Sequence, residues 1–221
     1  MILDIGLIDY SDALKMQQEL VAKRRSGQIA DSILILEHPP VFTIGRSGSR
    51  DNLLVGERSL IEKGIKVLDV DRGGDITFHS PGQLVGYPII NLKERTKDLH
   101  GYLRDLEETV ILFLKKYGIP GERVKGATGV WTGTKKIAFI GIAAKDWVTY
   151  HGLSININND LDFFSMMNPC GMKNIEVTSL KNILKREVPM YEAKKVLLGE
   201  FRRVFGMGDM EHMNEYCPAM A

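Results

Sequence analysis

The chain has 221 residues, 44% of them hydrophobic, which suits one large α/β domain or two small ones; a single domain over 1–221 is the simpler assignment. Lys and Arg number 29 against 28 Asp and Glu, so a formal charge of +1 gives no footprint for a nucleic-acid partner or an acidic membrane surface. Two thiols, Cys170 and Cys217, are too few for a disulfide framework and lack zinc spacing, so no metal is expected and the cytoplasm is the expected compartment.

The opening MILDIGLIDYSDALKMQQEL carries acids where a signal peptide needs a basic region, and no segment approaches the roughly 18 apolar residues of a membrane span. Ile2 to Ile8 reads as a strand and Ser11 to about Ser26 as a helix, with Ala13, Leu14, Met16, Leu20 and Val21 near one face. Ser32 to Leu36 is a continuous apolar strand. Glu37-His38-Pro39-Pro40 breaks it, and Val41 to Ile44 resumes an extended run.

Leu60 to Lys63 fits a short helix and Lys66 to Val70 a strand. A dense polar and glycine cluster follows, Arg72-Gly73-Gly74-Asp75-Ile76-Thr77-Phe78-His79-Ser80-Pro81-Gly82-Gln83. Glycine pairs allow turns with exposed N–H groups that receive a carbonyl, carboxylate or phosphate oxygen, with Arg72 as a cation and His79 as a titratable group. The bland alternative is a hairpin turn with a solvated Arg. The spacing of a P-loop is missing.

Leu84 to Leu92 reads as a strand, and Asp98 opens the strongest helix, with Leu99, Tyr102, Leu103, Leu106, Val110, Phe113, Leu114 and Tyr117 at helical spacing before Gly118. From Thr128 the spacing predicts a β-meander: Gly129 to Trp131, Lys136 to Ala143, and Trp147 to Ile157. Lys135 and Lys136 must point to opposite faces, one solvated and the other free to face a site. Thr178 is placed to cap a helix through Leu184, and Met190 to Phe205 forms an amphipathic closing helix before an unassigned tail, 206–221, that contains Cys217.

Between these lies Asn168-Pro169-Cys170-Gly171. Pro169 fixes its own φ and Gly171 permits φ > 0, so such a turn can present a thiol to a substrate, although a lone Cys is more often a small buried apolar residue.

The run RGGDITFHSPGQLVGYPIINL from Arg72, EHPPVFTIGR from Glu37, KKIAFIGIAAKDWVTYHGLSININ from Lys135 and the NPCG turn together resemble the octanoyltransferases of lipoate biosynthesis. The resemblance implies a mixed α/β domain with flanking helices, similar to the catalytic domains of biotin and lipoate protein ligases. It places the nucleophile on Cys170 and the catalytic lysine on Lys136. The family's acyl-substrate contacts fall on Arg72, Gly73, Gly74, Asp75, Ile76, Thr77, Phe78 and His79, on Phe139, Ile140 and Gly141, and on Gly152, Leu153 and Ser154. Phe78 stands where Tyr is common and Ser80 where Gly is common. The implied donor is octanoyl-acyl carrier protein. The implied acceptors are the lipoyl domains of 2-oxoacid dehydrogenase complexes and the glycine cleavage H protein, with no cofactor required.

A thiolate attacking a thioester gives another thioester at little cost, and the following amide is downhill; with an ordinary thiol pKa of about 8.5, Cys170 needs a partner to ionise at neutral pH. Lys136 serves either as an ammonium beside the thiolate or as a neutral base. Backbone N–H groups near Gly73-Gly74 or Cys170-Gly171 are candidate oxyanion donors. Phe78, Phe139, Ile140 and Leu153 are candidate lining for an acyl slot. The competing readings are an ATP-dependent lipoate or biotin ligase, which would not need Cys170, and a non-catalytic acyl-carrier-binding protein, which would not become acylated.

Overall fold

The computed structural model describes residues 1–172, 175–208 and 212–213. Strand β1 (Ile2–Leu7) leads into helix α1 (Tyr10–Arg25), whose first turn is closed by the Asp9 carboxylate accepting from Ser11 N at 2.8 Å. There follow β2 (Ser32–Glu37), β3 (Val41–Ile44), α2 (Glu57–Glu62), β4 (Lys66–Asp69), β5 (Ile76–His79) and β6 (Gln83–Ile89). The second half contributes α3 (Leu99–Lys116), β7 (Glu122–Val124), β8 (Ala127–Thr132), β9 (Lys135–Lys145), β10 (Val148–Asn156), α4 (Leu180–Leu184), α5 (Met190–Phe205) and β11 (His212–Met213).

Eight strands form one mixed sheet in the order β11-β1-β2-β6-β10-β9-β8-β7, and β4-β3-β5 form a second, smaller sheet. The apolar runs decide this arrangement. SILILE of β2 lies in the sheet interior with Ile33 to Leu36 fully buried, whereas β7, with all three residues exposed, sits on the edge. On one face of the large sheet, Tyr102, Leu106, Val110 and Phe113 of α3 meet Ala193, Leu197 and Phe201 of α5 over Leu153 and Ile155. Ala13, Leu20 and Val21 of α1 cover Leu34, Leu36, Val85 and Ile89 on the other. At about 1.5–3 kcal/mol per buried large apolar side chain, these two layers hold the sheet. A third cluster, Phe42, Ile44, Ile76, Phe78, Phe139, Phe164 and Met167, joins the small sheet to β9 and to the segment before Cys170.

Most expected elements are present, and the differences have local causes. Val41–Ile44 is extended as expected, and after the two prolines it pairs with β4 and β5 in the small sheet. The strand expected through Leu92 ends at Ile89, because the Asn91 side chain accepts from Lys93 N and starts a short turn of 3₁₀ helix at Leu92. Ser179 rather than Thr178 caps α4, accepting from Asn182 N. Strand β7 has no apolar alternation by which it could be read. Gly206 ends α5 in the left-handed conformation, and His212–Met213 run parallel to β1; Cys217 lies outside the described residues. Among the described residues no helix is long and apolar enough to cross a membrane.

Candidate active site

Pro169–Gly171 make one turn of 3₁₀ helix, and within it Cys170 adopts φ 57°, ψ 25°. That left-handed conformation is uncommon for a residue with a side chain, and it persists only where the surroundings hold it. They do so here. Asn168 N donates to Asn52 O at 2.7 Å, and Asn52 Nδ2 donates to Asp75 Oδ2 at 2.8 Å. A Cβ at Gly171 would run into Asp75 Oδ2, so only glycine lets the turn sit this close. The result is a half-buried thiol fixed on the small sheet.

Lys136 is the second residue of β9, at the register position opposite Trp131, and is fully buried. Lys135 turns outward to pair with Glu176 at 3.0 Å, so the two lysines divide between solvent and interior as strand geometry requires. Lys136 Nζ donates to Thr128 O at 2.8 Å and to Cys170 Sγ at 3.1 Å. It also stands 4.5 Å from the Trp131 ring centroid and 4.9 Å from that of Phe139. Two aromatic faces and a carbonyl oxygen thus enclose Nζ on the sides away from Cys170.

A cleft between the two sheets runs from Cys170 past Phe139, Ile140, Gly141, Gly152, Leu153 and Ser154 toward Tyr10, Tyr87 and His151. Arg72, Gly74, Asp75, Ile76, Thr77 and His79 line its other side. Arg72 is buried, which removes the solvated-arginine reading, and its guanidinium donates to Thr43 O at 2.7 Å, Thr43 Oγ1 at 2.9 Å and Gly73 O at 3.0 Å. None of these acceptors is a carboxylate. Burial pulls its pKa down, and Tyr10, Cys170, Tyr87 and Asp75 offset this in part.

Buried histidines and tyrosines make the end wall. Gln83 Nε2 donates to Phe78 O and Asn156 Oδ1, so Gln83 Oε1 faces His79 Nδ1 at 2.7 Å and the ring carries its proton there, leaving Nε2 as an acceptor. His38 Nδ1 donates to Ile8 O and Nε2 accepts from Tyr87 OH, both at 2.8 Å. His151 Nε2 donates to Asp71 Oδ1 at 2.8 Å and Nδ1 accepts from Tyr10 OH at 3.3 Å. Burial pushes His38 down to about 4 and His79 well below its ordinary value. The hydrogen bond from His151 holds Asp71 down at about 2, and burial pushes Tyr10 up to about 12, so Tyr10 stays a neutral donor.

Of the residues expected at the site, all but three line this cleft with Cys170. Lys136 stands behind Cys170, reaching it through Nζ. The Gly73 side of its loop packs against the sheet, with Gly73 N donating to Ile142 O at 2.8 Å. Phe78 points away, between Phe42 at 4.6 Å and Phe163 at 4.8 Å between ring centroids, because Thr77 and His79 take the cleft side of β5. A tyrosine hydroxyl at 78 would therefore not enter the cleft. Gly73 N and Gly171 N, both among the expected oxyanion donors, are committed to Ile142 O and Asn168 O, which leaves Gly74 N and Cys170 N. Sequence reading missed Tyr10, Tyr87, Asn52 and Glu107. Tyr10 was masked by its place at a helix start, and Glu107 by lying among the core positions of α3 with nothing local to mark it.

The lipoyl protein ligase A/B catalytic domain matches residues 9–202. The octanoyltransferase of Rubrobacter xylanophilus is 50% identical over 204 residues, covering 91% of each chain. That of Geobacter metallireducens is 45% identical over 201 residues, again covering 91% of each. The fold matches lipoate-protein ligase A bound with ATP, with a TM-score of 0.78 at 17% identity over 96% of this chain and 87% of that one. It also matches the biotin protein ligase of Aquifex aeolicus, with a TM-score of 0.54 at 14% identity over 93% and 69%.

Proposed function

We infer that this chain, which belongs to the octanoyltransferases of lipoate biosynthesis within the lipoyl protein ligase A/B catalytic-domain family, carries the octanoyl group as a thioester on Cys170. The observation that carries the reading is the 3.1 Å contact from Lys136 Nζ to Cys170 Sγ at the head of the cleft. A buried ammonium held by a carbonyl oxygen and two ring faces stabilises a thiolate beside it, and the buried Arg72 guanidinium adds a second positive charge.

The donor is octanoyl-acyl carrier protein and the acceptor the ε-amine of a lysine on a lipoyl domain, as in 2-oxoacid dehydrogenase complexes and the glycine cleavage H protein. Cys170 Sγ attacks the donor's thioester carbonyl, the bond from that carbon to the carrier's sulfur breaks, and Lys136 gives its proton to the departing thiolate. Neutral Lys136 then takes a proton from the acceptor ammonium. The free amine attacks the Cys170 thioester, its second proton passes to solvent, and Cys170 leaves as thiolate beside the restored ammonium. Gly74 N and Cys170 N are the proposed donors to the tetrahedral oxyanion. The octanoyl chain occupies the cleft beside Phe139, Ile140 and Leu153, where seven carbons at about 0.8 kcal/mol each contribute on the order of 5 kcal/mol.

A single-turnover assay without ATP tests this reading. Transfer to a lipoyl domain is expected with wild type and is abolished in Cys170→Ala; transfer that requires ATP, or persists in Cys170→Ala, contradicts it.

A further inference from the structure

The lysine of the pair has a support two steps removed from the thiol. Strand β8 pairs with β7 at Ala127 and Trp131, across a shift in register, and with β9 from Val130 onward, and Thr128 and Gly129 fall between these paired positions. Gly129 has φ 130°, and a Cβ there would lie 2.5 Å from Ala138 O and 2.7 Å from Lys136 Cε. The chain can therefore turn the Thr128–Gly129 peptide out of the ladder only at a glycine.

Both ends of that peptide are taken up by side chains. Its carbonyl, Thr128 O, accepts from Lys136 Nζ at 2.8 Å, and its N–H, on Gly129, donates to Glu107 Oε1 at 3.2 Å. Glu107 lies on α3, its side chain 1% exposed, with Oε2 accepting from Arg104 at 2.7 Å and Arg123 at 3.1 Å. A continuous path runs from carboxylate through one peptide unit to ammonium and thiol. A carboxylate accepting from a peptide N–H polarises the peptide and strengthens its carbonyl as an acceptor. The two arginines take Oε2, which leaves Oε1 for the strand backbone.

We propose that Glu107 is a positioning residue that holds Lys136 Nζ against Cys170 by acting through the Thr128–Gly129 peptide. This rests on the reading of Cys170 and Lys136 as the reacting pair. The other charged groups around the pair are Arg72, Asp75 beneath Gly171, and the outward Lys135–Glu176 ion pair, none of which touches this peptide.

The test is the rate of iodoacetamide alkylation of Cys170 from pH 6 to 10, in the full chain carrying Cys217→Ser so that one thiol reports. In Glu107→Gln the amide oxygen still accepts from Gly129 N, but the charge is gone. The alkylation midpoint is expected to move up, slowing the reaction about 3- to 5-fold at pH 7 and converging with wild type by pH 10. The kcat for octanoyl transfer falls in parallel with KM unchanged. Should that variant not fold, Glu107→Asp, which withdraws the carboxylate by one methylene, is expected to shift the midpoint the same way by less. Arg123→Met removes an ion pair to Glu107 without touching the peptide and is expected to cost stability but raise no midpoint.

A folded Glu107 variant whose pH curve superimposes on wild type overturns the proposal. So does an upward shift in Arg123→Met equal to that of Glu107→Gln, since packing of α3 would then be the cause. If wild type itself takes no octanoyl group on Cys170, it is the reading of the reacting pair that fails.

Discussion

Acid should loosen the end wall of the acyl cleft, and His38 allows the size of the effect to be worked out. The ring is fully buried, with both nitrogens committed in the neutral form, one to Ile8 O and one to Tyr87 OH. Burial lowers its pKa from 6.5 to about 4 in the folded chain. Between those values the unfolded chain binds more protons than the folded one, so stability falls as pH falls through this window and is untouched above about pH 7. A shift of this size is worth about 3 kcal/mol between pH 7 and pH 4, a large share of the stability of an ordinary domain. The assay is urea unfolding at stepped pH for wild type and His38→Gln. The variant is expected to be less stable at pH 7 but to lose about 3 kcal/mol less on the way to pH 4. Asp71, held down at about 2, adds its own loss only as pH drops below the ordinary carboxylate value of 3.8, which separates the two effects. Parallel pH curves for the two proteins would refute the argument, because they would mean that His38 titrates alike in both states.

Other consequences concern the cleft and its lysine. Lys136 lies on β9 and Tyr87 on β6 with β10 between them, so the cleft crosses two strand spacings, roughly 10 Å, close to the 9 Å or so of seven C–C bonds in a zigzag. Tyr10, hydrogen-bonded to His151 at this end, should therefore limit chain length. Tyr10→Ala is expected to improve kcat/KM for a ten-carbon over an eight-carbon donor by about 15-fold relative to wild type, from about 1.6 kcal/mol for two further methylenes, while Tyr10→Phe keeps the octanoyl preference. An unchanged chain-length profile in folded Tyr10→Ala would remove Tyr10 from that role. Gly129→Ala forces a Cβ to within 2.7 Å of Lys136 Cε, and should cost about 1–3 kcal/mol by thermal unfolding and at least tenfold in transfer rate; wild-type activity would show that Lys136 tolerates displacement. Lys136→Met keeps the stem but not the charge, so alkylation of Cys170 should take on the pH dependence of a free thiol; a curve identical to wild type would remove Lys136 as its activator.

Much of this architecture was legible in the chain itself, for reasons that differ from element to element. Helices α3 and α5 announce themselves because each covers a sheet with one apolar stripe, and the β8–β9–β10 meander because short turns separate alternating runs. The destination of Val41–Ile44 was not legible, since an apolar run states that a strand is buried but not which sheet receives it. The same limit applies at the site. Lys135 and Lys136 had to face opposite ways, yet only the parallel bridge from Lys136 to Val177 and the cradle at Gly129 determine which one is buried. Phe78 looked like slot lining in a run where every residue is buried, and the pairing of β5 with β3 sends its ring into the third core cluster instead. Asp75 under Gly171 and Glu107 under Gly129 are contacts across 96 and 22 positions of chain, with no local pattern to reveal them.

The most direct test of the account is intact-protein mass after mixing the chain with octanoyl-acyl carrier protein in the absence of ATP, for wild type and Cys170→Ala. The account predicts an added octanoyl group on wild type alone, released when a lipoyl domain is supplied and recovered there as an amide. An adduct that survives in Cys170→Ala, or transfer to the lipoyl domain with no adduct at any time, would contradict it.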